Sequence, residues 1–138
     1  ARRWGCSLSG MEMHRDGMAS GPLIVGFVGH GFRIRIGGQD HSSPGGILLS
    51  PESVVEWPEY DPTALTPEML GDLLVLTPAP EFLLLGTGPG LVQPPRAFVR
   101  AIEARGLGVE VMDSRAAARA WGVLRAEDRR IIAALMPV

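Results

Sequence analysis

Three short apolar runs in the last third of the chain constrain the fold most strongly. They are Phe82–Leu85, Val109–Met112 and Ile131–Met136, and each has the length of a strand that is buried on both faces. A helix ending near Arg105 is predicted between the first two runs, and a second helix, capped by Asp113 or Ser114, between the last two. This strand–helix–strand–helix–strand order with short connections predicts an α/β layout.

The preceding part of the chain is rich in strand signals. Four strands are predicted there: Leu23–Val28, Phe32–Ile36, Ile47–Leu49 and Val54–Trp57. Residues 37–46 read as a loop, and Thr66-Pro67-Glu68 has the features of a helix start, namely a capping side chain, a proline at the first position and an acid near the dipole. An additional β-layer is therefore expected beside the α/β part.

The chain has 138 residues, which is enough for one domain with a single core. We expect that domain to occupy residues 22–138. Residues 1–21 show no sustained periodicity and are expected to form a poorly ordered tail. Arg2-Arg3 resembles the start of an export signal, but no apolar segment follows it.

Composition excludes several function classes. The net charge is −2, with all 13 basic residues being arginine, so a general nucleic-acid binder is not expected. Residues 94–138 hold eight Arg against five acids, and this side favours an anion or an acidic partner. Cys6 is the single cysteine, which is compatible with a reducing compartment. Since no apolar run is long enough to span a bilayer, the expectation is a cytoplasmic protein, and the Arg- and Gly-rich composition favours a bacterial source.

The glycine-rich turn over residues 86–90 is the strongest local candidate for a site. It follows a predicted buried strand and precedes a helix, where backbone N–H groups can gather around an anion. The spacing is G-x-G-x-G rather than that of the dinucleotide fingerprint, and Pro89 lacks a donor. A plain packing turn, an anion or partner contact and a nucleotide site all remain open.

Other motifs do not form a catalytic or metal-binding constellation. Asp40-His41-Ser42 consists of consecutive residues, whereas a catalytic triad is assembled from separate segments. The three histidines have none of the spacings of a metal site, and no CxxC or HExxH motif is present. No metal site, no cofactor and no catalytic residues are predicted, and Trp57 and Trp121 are expected to be core residues.

A family resemblance comes from the order of several short motifs after residue 22. The motifs are Gly31-Phe32-Arg33-Ile34, Leu48-Leu49-Ser50-Pro51 with Trp57, Leu65-Thr66-Pro67-Glu68, Phe82-Leu83-Leu84-Leu85-Gly86-Thr87-Gly88, Val109-Glu110-Val111-Met112-Asp113-Ser114 and Ala133-Ala134-Leu135-Met136-Pro137. This succession resembles the family that includes the mitochondrial complex I (NADH dehydrogenase) alpha-subcomplex assembly factor 3 and its bacterial and archaeal relatives.

The resemblance implies a three-layer α/β fold with a mixed central sheet, flanking helices and an added N-terminal β-layer. It places the family's G-T-G turn on Gly86, Thr87 and Gly88, and its E-G-R segment on Glu127-Asp128-Arg129. The chain departs from the family pattern in having Ser114 in place of Thr, Trp121-Gly122 in place of Tyr-Asn or Phe-Asn, and Asp128 in place of Gly.

Two hypotheses follow. The first is a non-enzymatic interaction or assembly module with a protein partner, linked to a membrane respiratory complex. The second is a small-molecule or anion binder, or an enzyme, that uses the turn together with Ser114 and Arg129.

Overall fold

The computed structural model describes residues 21–138 and the backbone of Arg3–Trp4. The nine strands are β1 (Arg3–Trp4), β2 (Leu23–Val28), β3 (Gly31–Ile36), β4 (Gln39–Ser43), β5 (Gly46–Leu49), β6 (Val54–Trp57), β7 (Phe82–Gly86), β8 (Gly108–Met112) and β9 (Ile132–Leu135). The helices are α1 (Arg96–Glu103), α2 (Ser114–Ala126) and two 3₁₀ segments, Pro62–Ala64 and Pro67–Val75. Apart from Gly21 and the pair Arg3–Trp4, the tail expected over residues 1–21 lies outside the described residues, and the boundary at residue 22 remains a prediction.

Two sheets form the framework. The central sheet has six strands in the order β1-β6-β5-β9-β7-β8, and an antiparallel sheet has the order β2-β3-β4. In the central sheet β7 runs parallel to β8 and β9, whereas β5 is antiparallel to β6 and β9. The mixture arises because α1 and α2 are crossover connections between parallel strands, while β5 and β6 form a hairpin.

The central sheet is covered on both faces, which explains the continuous apolar runs. Leu84 points into a core shared with α2 and the β2-β3-β4 sheet. Leu83 and Leu85 point into a second core shared with α1 and the segment Pro67–Val75. Successive side chains of a strand alternate between faces, so a strand between two cores needs apolar residues at every position. The predicted three-layer α/β fold with a mixed sheet and an added β-layer is confirmed.

The prediction of a loop over residues 37–46 is wrong. Gln39–Ser43 forms β4 and pairs antiparallel with β3, and Gly37-Gly38 is the two-residue connection, with φ values of 61° and 78°. Such a turn needs two residues with positive φ, which glycine supplies without strain. The strand escapes detection because its side chains are polar and its pairing uses the backbone.

The segment after Thr66 differs from the regular helix that was expected. Thr66 has extended backbone and makes no side-chain capping bond, and Pro67–Val75 is 3₁₀ rather than α-helical. Gly71, at φ 60° and ψ −131°, divides it into two turns. Leu65 and Leu70 are nevertheless both buried and belong to the same apolar core.

Candidate functional site

The glycine-rich turn lies at the end of β7, in the middle of the central sheet. Gly86 is the last residue of the strand, and the Thr87 side chain is 4% exposed. Ser114, the first residue of α2, is fully buried beside the turn. The position at a strand end matches the location at which ligands bind in open α/β sheets, so the orientation of the backbone donors decides what the turn can bind.

The Thr87 and Gly88 backbone donors of the turn are directed at acceptors of the protein itself. The Thr87 N–H donates to the Met112 carbonyl over 2.9 Å. The Gly88 N–H donates to Ser114 Oγ over 2.8 Å, and the Ser114 N–H donates back to the Gly88 carbonyl over 2.8 Å. Ser114 Oγ thus takes the place at which an anion would accept from the Gly88 N–H.

The Thr87 hydroxyl is also engaged within the turn. Its Oγ1 donates to the Gly90 carbonyl over 2.7 Å and accepts from the Val92 N–H over 3.0 Å. A hydroxyl has one proton to donate, so this arrangement uses it to hold the loop closed. The Thr87 hydroxyl therefore stabilises the turn between β7 and α1.

Close packing explains the glycine at position 86. A Cβ there would lie 2.8 Å from Ser114 Oγ and 2.9 Å from both Ser114 Cα and Leu135 Cδ2. Contacts this short require the backbone of α2 to shift. The glycine permits the approach of α2 to β7, which is a packing role.

Arg129 lies away from the turn. Its guanidinium pairs with Glu81 at the start of β7, with Nη2–Oε1 2.7 Å and Nε–Oε1 3.2 Å, and this hydrogen bond raises the pKa of Arg129. Six residues separate Glu81 from Thr87, which in a strand is about 20 Å. The structure therefore brings Gly86, Thr87, Gly88 and Ser114 together and leaves Arg129 at the opposite end of the strand.

The loop that precedes Arg129 explains one departure from the family pattern. Asp128 has φ 58°, a left-handed conformation that glycine adopts freely and aspartate tolerates. The neighbouring Arg125 is buried, which lowers its pKa, and its Nη1 donates to the Arg129 carbonyl over 2.5 Å. The charged loop is held by these contacts as a structural connection between α2 and β9.

A groove of about 870 Å³ lies between the β5–β6 hairpin and the segment Pro67–Val75. Its apolar lining comprises Leu48, Val55, Trp57, Pro58, Tyr60, Met69, Leu70, Leu73 and Leu76. The Trp57 indole N–H donates to the Met69 carbonyl over 2.8 Å, and the Trp57 and Tyr60 rings meet edge to face at 5.5 Å. These contacts tie the two walls of the groove together, and the predicted core position of Trp57 is confirmed.

Among residues 21–138, the charged residues that line the groove are all acidic. They are Glu52, Glu56, Glu68 and Asp72. Glu52 pairs with Arg130 over 2.6 Å, and Glu56 lies on the face of β6 opposite to Val55 and Trp57. Glu68 and Asp72 form no ion pair with any other residue that the structure describes. The groove therefore combines an apolar floor with a negative rim.

The groove was missed at the level of sequence because its walls come from separate segments. One signal is visible in retrospect. Residues 42–95 contain seven acids and no Arg, Lys or His. Such a stretch cannot neutralise its own charge. Its acids therefore lie in solvent, face a partner or pair with arginines from elsewhere in the chain, as Glu81 and Glu52 do with Arg129 and Arg130.

Over residues 21–138, no three residues among His, Cys, Asp and Glu are grouped so as to hold a metal ion. No helix in the same part of the chain is both long and apolar enough to cross a membrane.

The fold defines the structural class. A Bordetella pertussis protein whose solution NMR structure is called a Mth938-like domain superimposes with a TM-score of 0.69 and 27% identity, over 92% of each chain. This chain is thus similar in fold to a Mth938-like domain.

The family follows from the sequence match. The chain belongs to the family described as protein of unknown function (DUF498/DUF598), whose model matches residues 25–136. An uncharacterised protein of Rhodobacter capsulatus is 33% identical over 119 residues, covering 86% of this chain and 88% of that protein.

One eukaryotic relative is named as an assembly factor. NADH dehydrogenase [ubiquinone] 1 alpha subcomplex assembly factor 3 of Danio rerio is 29% identical over 119 residues. The match covers 86% of this chain but only 66% of the length of that protein. The suspected family relationship is confirmed.

Proposed function

We propose that this protein is a non-enzymatic interaction module of a bacterial cytoplasm that assists the biogenesis of a membrane respiratory complex. The observation that carries the proposal is the similarity to assembly factor 3, which extends over 86% of the chain. A protein partner is the corresponding expectation.

The arrangement of the turn supports this proposal over the second hypothesis. Thr87 N–H, Gly88 N–H and the Thr87 hydroxyl are all engaged with acceptors of the protein. A preorganised anion site needs donors that are directed at the ligand. Binding an anion here would require these bonds to break, and Arg129 is too distant to compensate.

The assembly role is tested in Rhodobacter capsulatus by deleting the gene for the similar protein and complementing with this chain. We expect less assembled NADH dehydrogenase complex on native gels of the membranes, restored by complementation, with succinate dehydrogenase as an internal control. An interaction module also predicts full complementation by Arg129→Gln. Normal amounts of the complex after deletion would overturn the assembly role.

The competing proposal, a ligand site or enzyme at residues 86–90 with Ser114 and Arg129, is tested by thermal shift. The probes are nucleotides, sugar phosphates and small carboxylates. A ligand at about 100 times its Kd stabilises the folded state by about 2.7 kcal/mol, which is readily seen. We expect no shift. A ligand-dependent shift that is lost in Arg129→Gln would favour the competing proposal.

A further inference from the structure

We infer that the groove between the β5–β6 hairpin and the segment Pro67–Val75 binds a protein segment that carries apolar side chains flanked by arginine or lysine. This inference rests on the proposed function, since it names the surface and the chemistry of the partner of an interaction module. It follows from the shape, the lining and the charge of the groove.

The apolar floor supplies the driving force. Leu48, Leu70 and Leu73 are buried at the base of the groove, while Met69 and Leu76 are partly exposed along it. The volume of about 870 Å³ lies within the range of pockets that bury most of a bound ligand, about 300 to 1,000 Å³. Covering partly exposed apolar side chains is favourable in proportion to the area removed from water.

The shape of the groove depends on a backbone feature. Gly71 has the non-helical dihedrals φ 60° and ψ −131° and divides the 3₁₀ segment into two turns at a kink. Glu68 and Asp72 lie on either side of it, and both are exposed and line the groove. A continuous helix through this segment would not separate the two turns, so the division places acids along the groove wall above an apolar base.

The charge of the rim selects the partner. Glu68 and Asp72 lack ion-pair partners in the described part of the chain, and no basic side chain among residues 21–138 lines the groove. A segment with arginine or lysine beside its apolar residues would gain attraction at this rim, whereas an acidic segment or a nucleic-acid phosphate would be repelled. Charge complementarity thus identifies a basic, apolar protein segment as the occupant.

The test uses the full chain and two labelled synthetic peptides, one of leucine and arginine and one in which glutamate replaces arginine. Fluorescence anisotropy measures the Kd. We expect the arginine peptide to bind and the glutamate peptide not to bind. Glu68→Arg and Asp72→Arg should each weaken the arginine peptide about tenfold, which corresponds to about 1.4 kcal/mol.

Glu110→Arg is the matched control, because Glu110 is exposed on β8 at the other edge of the sheet and its reversal changes the net charge equally. It should leave the Kd unchanged. Urea unfolding of all three variants verifies that they fold.

Three results would overturn the inference. They are no binding of the arginine peptide, an equal loss of affinity in Glu110→Arg, or sedimentation showing a dimer that Glu68→Arg dissociates, since a second copy would then occupy the groove. If the arginine peptide does not bind but this chain complements the deletion in Rhodobacter capsulatus, the inference about the groove is wrong and the proposed assembly role is retained. If the complex assembles normally after gene deletion but the arginine peptide binds, the proposed assembly role is wrong and the groove is still a peptide-binding surface.

Discussion

The turn over residues 86–90 has its polar groups hydrogen-bonded within the protein, whereas the groove beside Pro67–Val75 exposes apolar and acidic side chains. In the turn, the Thr87 N–H donates to the Met112 carbonyl and the Gly88 N–H donates to Ser114 Oγ. Thr87 and Ser114 are both buried away from water. In the groove, apolar side chains are partly exposed and Glu68 and Asp72 lack ion-pair partners among the described residues.

The comparison teaches that a conspicuous motif is not by itself a binding site. Gly86 allows α2 and β7 to approach closely, Gly88 has a positive φ of 104°, and the polar groups near them serve the fold. The groove, whose partly exposed apolar side chains and acids are available to a partner, is formed by residues that carry no recognisable motif. Variants in the two regions should therefore differ in what they change, with stability affected in the turn and binding affected at the groove rim.

The largest effect is expected for Gly86→Ala. The added Cβ would meet Ser114 Cα at 2.9 Å, and overpacking of this kind destabilises by about 3 kcal/mol. Urea unfolding measures the loss. Gly90→Ala, at which nothing lies within 4 Å of the new Cβ, is the control and should change stability by less than about 0.5 kcal/mol. Equal effects of the two substitutions would contradict the close packing of α2 on the turn.

Ser114→Ala should destabilise by about 2 kcal/mol. The substitution leaves the Gly88 N–H without its acceptor in a buried site, and an unsatisfied buried donor costs about 1 to 3 kcal/mol. Chemical denaturation is again the measurement, with Ser42→Ala on the exposed side of β4 as the control. An unchanged stability would mean that water or a ligand takes over the bond, which would reopen the turn as a binding site.

Gly71→Ala should cost about 1 to 2 kcal/mol, because alanine is strained at a φ of 60°. Nothing lies within 4 Å of the added Cβ, so the effect reports the backbone alone. The same variant should weaken binding of the leucine–arginine peptide. Full peptide affinity together with reduced stability would show that the two-turn shape is not required for the groove.

The smallest effect is expected at Asp40, a surface carboxylate that, unlike Glu68 and Asp72, is paired. Its hydrogen bond and ion pair with Arg35 over 2.7 Å lower its pKa from about 3.8. A lowered pKa in the folded state stabilises the protein above the unfolded-state pKa, and this contribution is lost as the pH falls through the folded value.

Asp40→Asn should therefore be slightly less stable than the parent chain at neutral pH. The difference should begin to fall as the pH drops below about 3.8, should disappear below the folded-state pKa of Asp40, and should shrink in high salt. Urea midpoints across the pH range measure it. A difference that persists in strong acid would show that Asp40 acts through something other than its charge.

Much of the fold could be predicted from local pattern. Runs such as Phe82–Leu85 are apolar at every position because both faces of β7 are covered, so composition alone reveals the layer. Asp113 caps α2 by accepting from the Ala116 N–H over 2.9 Å, as its position before the helix indicated. These features depend on residues close in sequence.

The remaining features depend on tertiary structure. β4 has polar side chains and is identified only by its pairing with β3. The Thr66 start signal does not reveal that Gly71 interrupts the helix. The bond from Gly88 to Ser114 joins residues 26 apart, and the groove joins the hairpin to a segment with which it shares no motif. No local pattern encodes these distances.

The most direct test of the account is a titration of the ¹⁵N-labelled full chain with the leucine–arginine peptide, followed by NMR. We expect the Trp57 indole N–H and the amides of Glu68 and Asp72 to shift, while the amides of Thr87 and Gly88 and the Trp121 indole N–H stay in place. Shifts centred on Thr87 and Gly88, with Trp57 unmoved, would contradict the assignment of binding to the groove.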